Sequence, residues 1–169
     1  MRKILFLLGS ALLAAVSLSA QESVKPASSL QYMRGYRANV ELSCGIAQQW
    51  GISTSHGFSF GNGLYVGGGT GFAAEYFPDY KSKPSFLVPV FADIKFDFID
   101  KTVTPFVGFR AGELIDLTDS EGRWFISPCA GVDISRFSIS VGYEFQQTFA
   151  GFRLGNVFQC AKISVGITF

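Results

Sequence analysis

Charge is scarce along this chain. Asp, Glu, Lys and Arg together make up 16% of its 169 residues, against the quarter or so usual in soluble domains. Histidine occurs once and cysteine three times. Basic and acidic residues nearly cancel, 14 against 13, and nothing resembles the basic footprint of a nucleic-acid-binding domain. Cys44, Cys129 and Cys160 are odd in number and lack close spacing, so they form neither a disulfide framework nor a zinc-ligand pattern. They read instead as small buried side chains. Beyond residue 20 there is no helical periodicity and no apolar run of transmembrane-helix length.

What the chain has in excess is hydrophobic residues, at 48%, with 18 Phe and 19 Gly. That combination suggests large side chains on one surface and very small ones on another. The N-terminus has the form of a secretory signal peptide over 1–20. Arg2 and Lys3 give a positive start, 4–16 supply an apolar core, and Ser-Leu-Ser-Ala ends on the small Ala20. A retained anchor is disfavoured, because the run is short and lacks a basic stop-transfer flank. No Cys follows the cleavage position, so a lipoprotein anchor is not indicated. Removing Arg2 and Lys3 leaves twelve basic residues against thirteen acidic ones, a net charge of −1. Residues 21–33, with Pro26, Ala27, Ser28 and Ser29, read as a flexible leader. Residues 34–169 form the one domain.

Within that domain a two-residue period recurs eight times, over about 34–46, 49–60, 64–77, 86–98, 102–117, 123–135, 136–147 and 157–169. Such a period is the signature of β-strands with one apolar face. The seventh segment is the cleanest. Phe137, Ile139, Val141, Tyr143 and Phe145 face one way, and Ser138, Ser140, Gly142, Glu144 and Gln146 the other. The last segment is the most hydrophobic and ends on an aromatic residue. Gly61-Asn62-Gly63 supplies the positive-φ positions of a tight hairpin. Pro89, Pro105 and Pro128 each remove a ladder donor and are expected to mark bulges. The pattern predicts an all-β, eight-stranded antiparallel up-and-down barrel, each strand long enough to cross a bilayer at a tilt.

Alternation alone leaves open which face is outside, since a lipocalin-like soluble barrel keeps its apolar face inward. Three features favour a transmembrane barrel with the apolar face outward. The polar face is small, carrying Gly67, Gly69, Gly71, Gly108, Gly112, Gly131, Gly142 and Gly166, as a narrow interior requires. It also carries charges of both signs: Arg37, Lys95, Arg110 and Lys162 with Glu41, Glu75, Asp93, Asp97, Asp133 and Glu144. Glu41 with Lys162, Asp93 with Arg110, and Glu144 with Lys162 are the expected pairs. Finally, the apolar face carries aromatics near strand ends, as the girdles at two membrane interfaces do. Tyr36, Phe58, Phe98, Phe137 and Phe169 fall at one rim, and Trp50, Tyr76, Trp124 and Tyr143 toward the other. No basic residue lies on the apolar face. Its acidic exception, Glu113, falls at the edge of the apolar band.

With these alternating strands, the stretches TPFVGFRAG (104–112) and PVFADIKFDF (89–98) and the terminal Phe169, the chain resembles the small OmpA/OmpX-like outer-membrane β-barrel proteins from about residue 34 onward. The resemblance implies residence in the cell outer membrane, with outer-membrane lipid as solvent and both termini periplasmic. It also implies that the last strand, ending in Phe169, is read by the barrel-assembly machinery. Against full-length OmpA-like proteins, no peptidoglycan-binding domain is expected after Phe169, and the outer loops at 47–48, 78–85, 118–122 and 148–156 are expected to be short.

The function expected is non-enzymatic, a structural or surface-interaction role with a lumen filled by charged and polar side chains. Phe91, Phe106 and Phe125 share that face, which argues against an open pore. No cofactor, metal or nucleic acid is implied, and no surface partner is named by any motif. The alternatives are a membrane-embedded lipid-modifying enzyme or a narrow porin-like channel. Catalysis needs a nucleophile and a base held together. His56 is the one histidine, and strand parity sets it apart from Ser53 and Ser55.

Overall fold

Strict alternation gives every segment one face that needs apolar surroundings and one that needs polar partners. A closed sheet meets both demands and leaves no edge unpaired. The computed structural model describes residues 32–46, 49–75, 84–118, 121–147 and 157–169. Its strands are β1 (Gly35–Gly45), β2 (Gln49–Ser59), β3 (Leu64–Glu75), β4 (Ser85–Asp97), β5 (Val103–Asp116), β6 (Glu121–Ile134), β7 (Phe137–Gln147) and β8 (Val157–Thr168). They close into a barrel in chain order. The closing pair sets Asn39–Gly45 of β1 antiparallel to β8. It is extended by Phe169 N donating to the Ala38 carbonyl at 2.8 Å and Ala38 N donating to the Phe169 carbonyl at 3.2 Å. The signal segment, most of the leader, Tyr76 and much of the four expected outer loops lie outside the described residues.

The register fixes the shape of the cylinder. Stepping across partners from Gly35 leads through Ser59, Tyr65, Lys95, Gly108, Cys129, Gly142 and Lys162. The path returns to β1 at Gly45 rather than Gly35. That stagger tilts the strands to roughly 40° from the barrel axis. One end of the cylinder, the terminal rim, holds the start of β1 and the end of β8. The other, the loop rim, holds the ends of β1, β3, β5 and β7.

The prolines do not produce bulges. On either side of Pro89, Thr70 pairs with Val90 and Ala73 with Leu87, with no slip between them. Ile126–Phe145 and Cys129–Gly142 likewise flank Pro128 in one register, and Pro105 pairs with Val132 in an unbroken ladder. The missing N–H costs local bridges, but a slip of one residue would turn a whole strand inside out, so the register holds. Gly61 (φ 80°) and Gly63 (φ 85°) form the β2–β3 turn, where Leu64 N donates to Asn62 Oδ1 at 3.2 Å. The β4–β5 turn is tied by Thr104 Oγ1, which donates to the carbonyls of Ile99 (2.8 Å) and Lys101 (2.6 Å).

Burial separates the two faces. Arg37, Glu75, Asp93, Asp97, Asp133 and Glu144 are buried, while Val103, Val107, Val141, Ile163 and Val165 are exposed. This is the inverse of a water-soluble protein. An apolar wall encircling the whole cylinder is what hydrocarbon solvates and water does not.

Candidate functional site

The side chains that could act are the ones the strands aim inward, so the lumen is the candidate site. Its ionic groups stack in three levels. Nearest the terminal rim, Arg37 of β1 donates to Asp97 Oδ2 of β4 at 3.2 Å and to Asp133 Oδ2 of β6 at 3.4 Å. Lys95 Nζ lies 2.5 Å from Asp133 Oδ2 and 3.7 Å from Asp97 Oδ1. Both cations also sit against aromatic faces, Arg37 5.3 Å from the Tyr65 ring centre and Lys95 3.8 Å from that of Phe106. Cation–π contact in a desolvated site adds to the ion pairing.

At mid-height Arg110 of β5 reaches Glu41 of β1, four strands away in an eight-stranded ring and therefore diametrically opposite. Nη1 donates to Oε1 at 2.6 Å and Nη2 to Oε2 at 2.7 Å. This is the two-pronged guanidinium–carboxylate geometry that makes such pairs strong. Arg110 Nε is 3.4 Å from Asp93 Oδ1, and the guanidinium lies over the Phe91 ring at 5.3 Å.

Toward the loop rim, Glu144 takes a hydrogen bond from Lys162 Nζ (2.7 Å), one from Gln146 Nε2 (2.6 Å) and one from Gln49 Nε2 (3.3 Å). Arg123 donates to Glu75 Oε2 at 2.8 Å and to Gln146 Oε1 at 3.4 Å. Beside this level, Ala73, Leu87, Phe91, Leu114 and Phe125 form an apolar cluster inside the barrel, with Phe91 and Phe125 edge-on at 6.3 Å. Among the described residues, one void of about 20 Å³ lies beside Glu41, Asp93 and Lys95 and another of about 30 Å³ beside Gln49, Glu144 and Lys162. Arg110 borders both. A void must offer about 10–15 Å³ to hold one water, so each has room for one or two.

Sequence reasoning placed Arg37, Glu41, Glu75, Asp93, Lys95, Arg110, Glu144 and Lys162 together, and all eight line the lumen in ion pairs. One partner assignment is corrected. Glu41 does not pair with Lys162, because Lys162 sits opposite Gly45 while Gly166 sits opposite Glu41. Closure offsets the two groups, and Glu41 turns across the lumen to Arg110. Gln49 and Arg123 were missed, and Gln146, read onto the polar face, was not named among the ionic partners. Arg123 shares parity with Phe125 and could have been found by that signal alone.

On the outer wall, the terminal rim carries Tyr36, Phe58, Phe98 and Phe137, and Trp50, Trp124 and Tyr143 lie toward the loop rim, all exposed. Phe72 stacks on Phe86 at 5.7 Å near the loop rim. Trp50 pairs with Cys44, and the run from Tyr36 to Cys44 on a tilted strand rises about 20 Å. His56 also faces outward. Its Nδ1 meets Tyr36 Oη at 2.5 Å and its Nε2 meets Thr54 Oγ1 at 3.0 Å. Ser55 is buried inside, receiving the Tyr65 hydroxyl at 3.3 Å. Cys129 and Cys160 face the lumen and Cys44 the wall, all as free thiols.

No protein-family model matches the sequence, and no curated protein matches it. Solved structures do. The outer membrane enzyme PagL aligns with a TM-score of 0.53 at 9% identity, covering 78% of this chain and 98% of PagL. Neisserial surface protein A aligns with a TM-score of 0.51 at 17% identity, covering 79% of this chain and 92% of that protein. At such identities the likeness is one of fold. The N-terminal β-barrel domain of Pseudomonas aeruginosa OprF also matches, at 14% identity and a TM-score of 0.48 over 79% of this chain and 96% of that one. By its closed eight-stranded topology, its inverted burial and the alignments with PagL and Neisserial surface protein A, the chain has the fold of the small eight-stranded outer-membrane β-barrels.

Proposed function

We propose that this protein is a non-enzymatic component of the outer membrane whose barrel is closed to solutes and serves a structural or surface-interaction role. The observation that carries the reading is the Arg110–Glu41 pair, which spans the full lumen diameter at mid-height. Ionic levels above and below it, and the Phe91–Phe125 cluster beside it, fill the lumen around voids with room for one or two waters each. Charges persist in such an interior when each is paired and hydrogen-bonded. A signal peptide over 1–20 would deliver the chain for insertion. The terminal rim, with the start of β1 and the end of β8, faces the periplasm, and the C-terminal strand to Phe169 presents the chain to the assembly machinery. The girdle residues Tyr36, Phe98, Phe137, Trp50, Trp124 and Tyr143 seat the wall at the two lipid interfaces, with Tyr76 assigned there on sequence alone.

PagL shares the fold and is an enzyme, but the barrel wall divides the residues that catalysis would need here. His56 points to lipid and already has two hydroxyl partners, while Ser55 points inward to Tyr65. The test is electrical. Purified full-length protein in planar bilayers should give no steady open level, and large sustained unitary currents would overturn the closed-lumen reading.

A further inference from the structure

The chain does not simply enter β1 from solvent. Tyr32, three residues ahead of the strand, is half-buried, while Met33 and Arg34 beside it are exposed. Its hydroxyl donates to the backbone carbonyl of Asp97 at 2.9 Å. Asp97 ends β4, three strands from β1, so this contact crosses beneath the β2–β3 turn. The turn backbone packs against the ring. A Cβ placed on Gly63 would lie 3.1 Å from Tyr32 Oη and 3.2 Å from Cζ, and a Cβ on Gly61 would lie 3.5 Å from the Tyr32 carbonyl. Gly63, in its positive-φ conformation, is therefore what lets the tyrosine and the Asp97 carbonyl approach the turn, since a Cβ there would also lie 2.2 Å from that carbonyl.

Asp97 is the point where this contact meets the ionic lumen. Its N–H donates to the Gly63 carbonyl at 2.9 Å, its carbonyl receives Tyr32, and its fully buried carboxylate holds Arg37 and Lys95. Arg37 is itself five residues along the chain from Tyr32. One residue thus joins the lead-in to the level of charge nearest the terminal rim.

We propose that Tyr32 is a strap on the periplasmic mouth: by clamping the backbone of Asp97 it keeps the Arg37–Asp97–Lys95–Asp133 cluster locked, so that release of the strap loosens the mouth. The proposal rests on the closed-lumen reading for its consequence in conductance, but not for its structural part. Phenylalanine at position 32 keeps the ring and removes the donor. Alanine removes both. Position 32 lies outside every strand, so both variants retain the barrel ladders.

The test uses full-length protein in detergent micelles and in planar bilayers. Amide exchange at Asp97, whose N–H bonds to Gly63, should quicken about five-fold in Tyr32→Phe, the effect of losing one hydrogen bond, and more in Tyr32→Ala. The Leu117 amide at the loop rim, bonded to the Phe86 carbonyl, should exchange as in the parent. Brief openings should become more frequent in the same order. Unchanged Asp97 exchange in both variants would overturn the strap. Steady currents from the parent would overturn the closed lumen instead, and the exchange comparison would still decide the strap.

Discussion

Consider replacing Arg110 by methionine, which keeps most of the side-chain length but removes the charge. Glu41 then loses both of its 2.6–2.7 Å hydrogen bonds, Asp93 loses its 3.4 Å cation, and Phe91 loses the guanidinium over its ring. Breaking one partner out of a buried pair costs about 3–5 kcal/mol, because the remaining charge is left desolvated. The Arg110 and Glu41 side chains keep 18% and 15% of their exposure, which puts the expected loss near the bottom of that range, about 3 kcal/mol. Glu41→Gln alone should cost less, about 1–2 kcal/mol, since Arg110 retains Asp93. The informative species is the double variant. With the carboxylate also gone, it should be more stable than the sum of the two losses predicts, by about 2 kcal/mol. Urea unfolding followed by the fluorescence of Trp50 and Trp124, with gel migration of unboiled samples as a second probe, gives all four corners of the cycle. Losses that add to within about 0.5 kcal/mol would show the groups to be independent, and the reasoning from a mid-lumen ion pair would fail.

Other expectations follow from the two faces. Gly112→Ala would put a Cβ 2.1 Å from the Val90 carbonyl and 2.6 Å from Phe91 Cα, where backbone cannot give way, and should cost about 1–3 kcal/mol or more. Gly68→Ala, whose nearest neighbour would be 3.4 Å away, should change stability by no more than about 0.5 kcal/mol; equal thermal midpoints for the two would contradict the packing argument. Val141→Arg, on an exposed mid-wall position, should cost about 2–4 kcal/mol in lipid vesicles, and a neutral result there would mean that this wall does not face hydrocarbon. His56→Ala should leave the mass spectrum of extracted lipid A identical to that of the parent strain, and an altered acylation pattern would establish a catalytic role.

The strands were legible because a two-residue period survives any tertiary context that buries one face. Inward and outward sets followed from parity, which is why Asp93 and Arg110, directly opposed in the register, could be paired in advance. The Glu41 partner could not. It depends on how far β8 slides against β1 when the ring closes, a quantity set jointly by seven other registers and written in no local stretch. The apolar residues within the lumen were only partly legible for a related reason. Leu87 and Leu114 fall on the polar parity, but single leucines there look like noise until Phe91 and Phe125 are brought beside them. The proline positions were read by a local rule, loss of a donor, which the sheet overrode because a slip would have inverted an entire face.

The junction between the first and last strands is where a cylinder built from one chain should unzip, since no covalent turn joins its two sides. Here β1 is bolted from within. Arg37 fastens it to β4 and β6, and Glu41 fastens it to β5. Peeling β1 from β8 would therefore drag buried charges out of their sockets at two depths at once. Sideways parting of the wall, the movement a barrel would need to admit a lipid or a partner strand, is thereby opposed by ion pairs whose far partners lie on β4, β5 and β6.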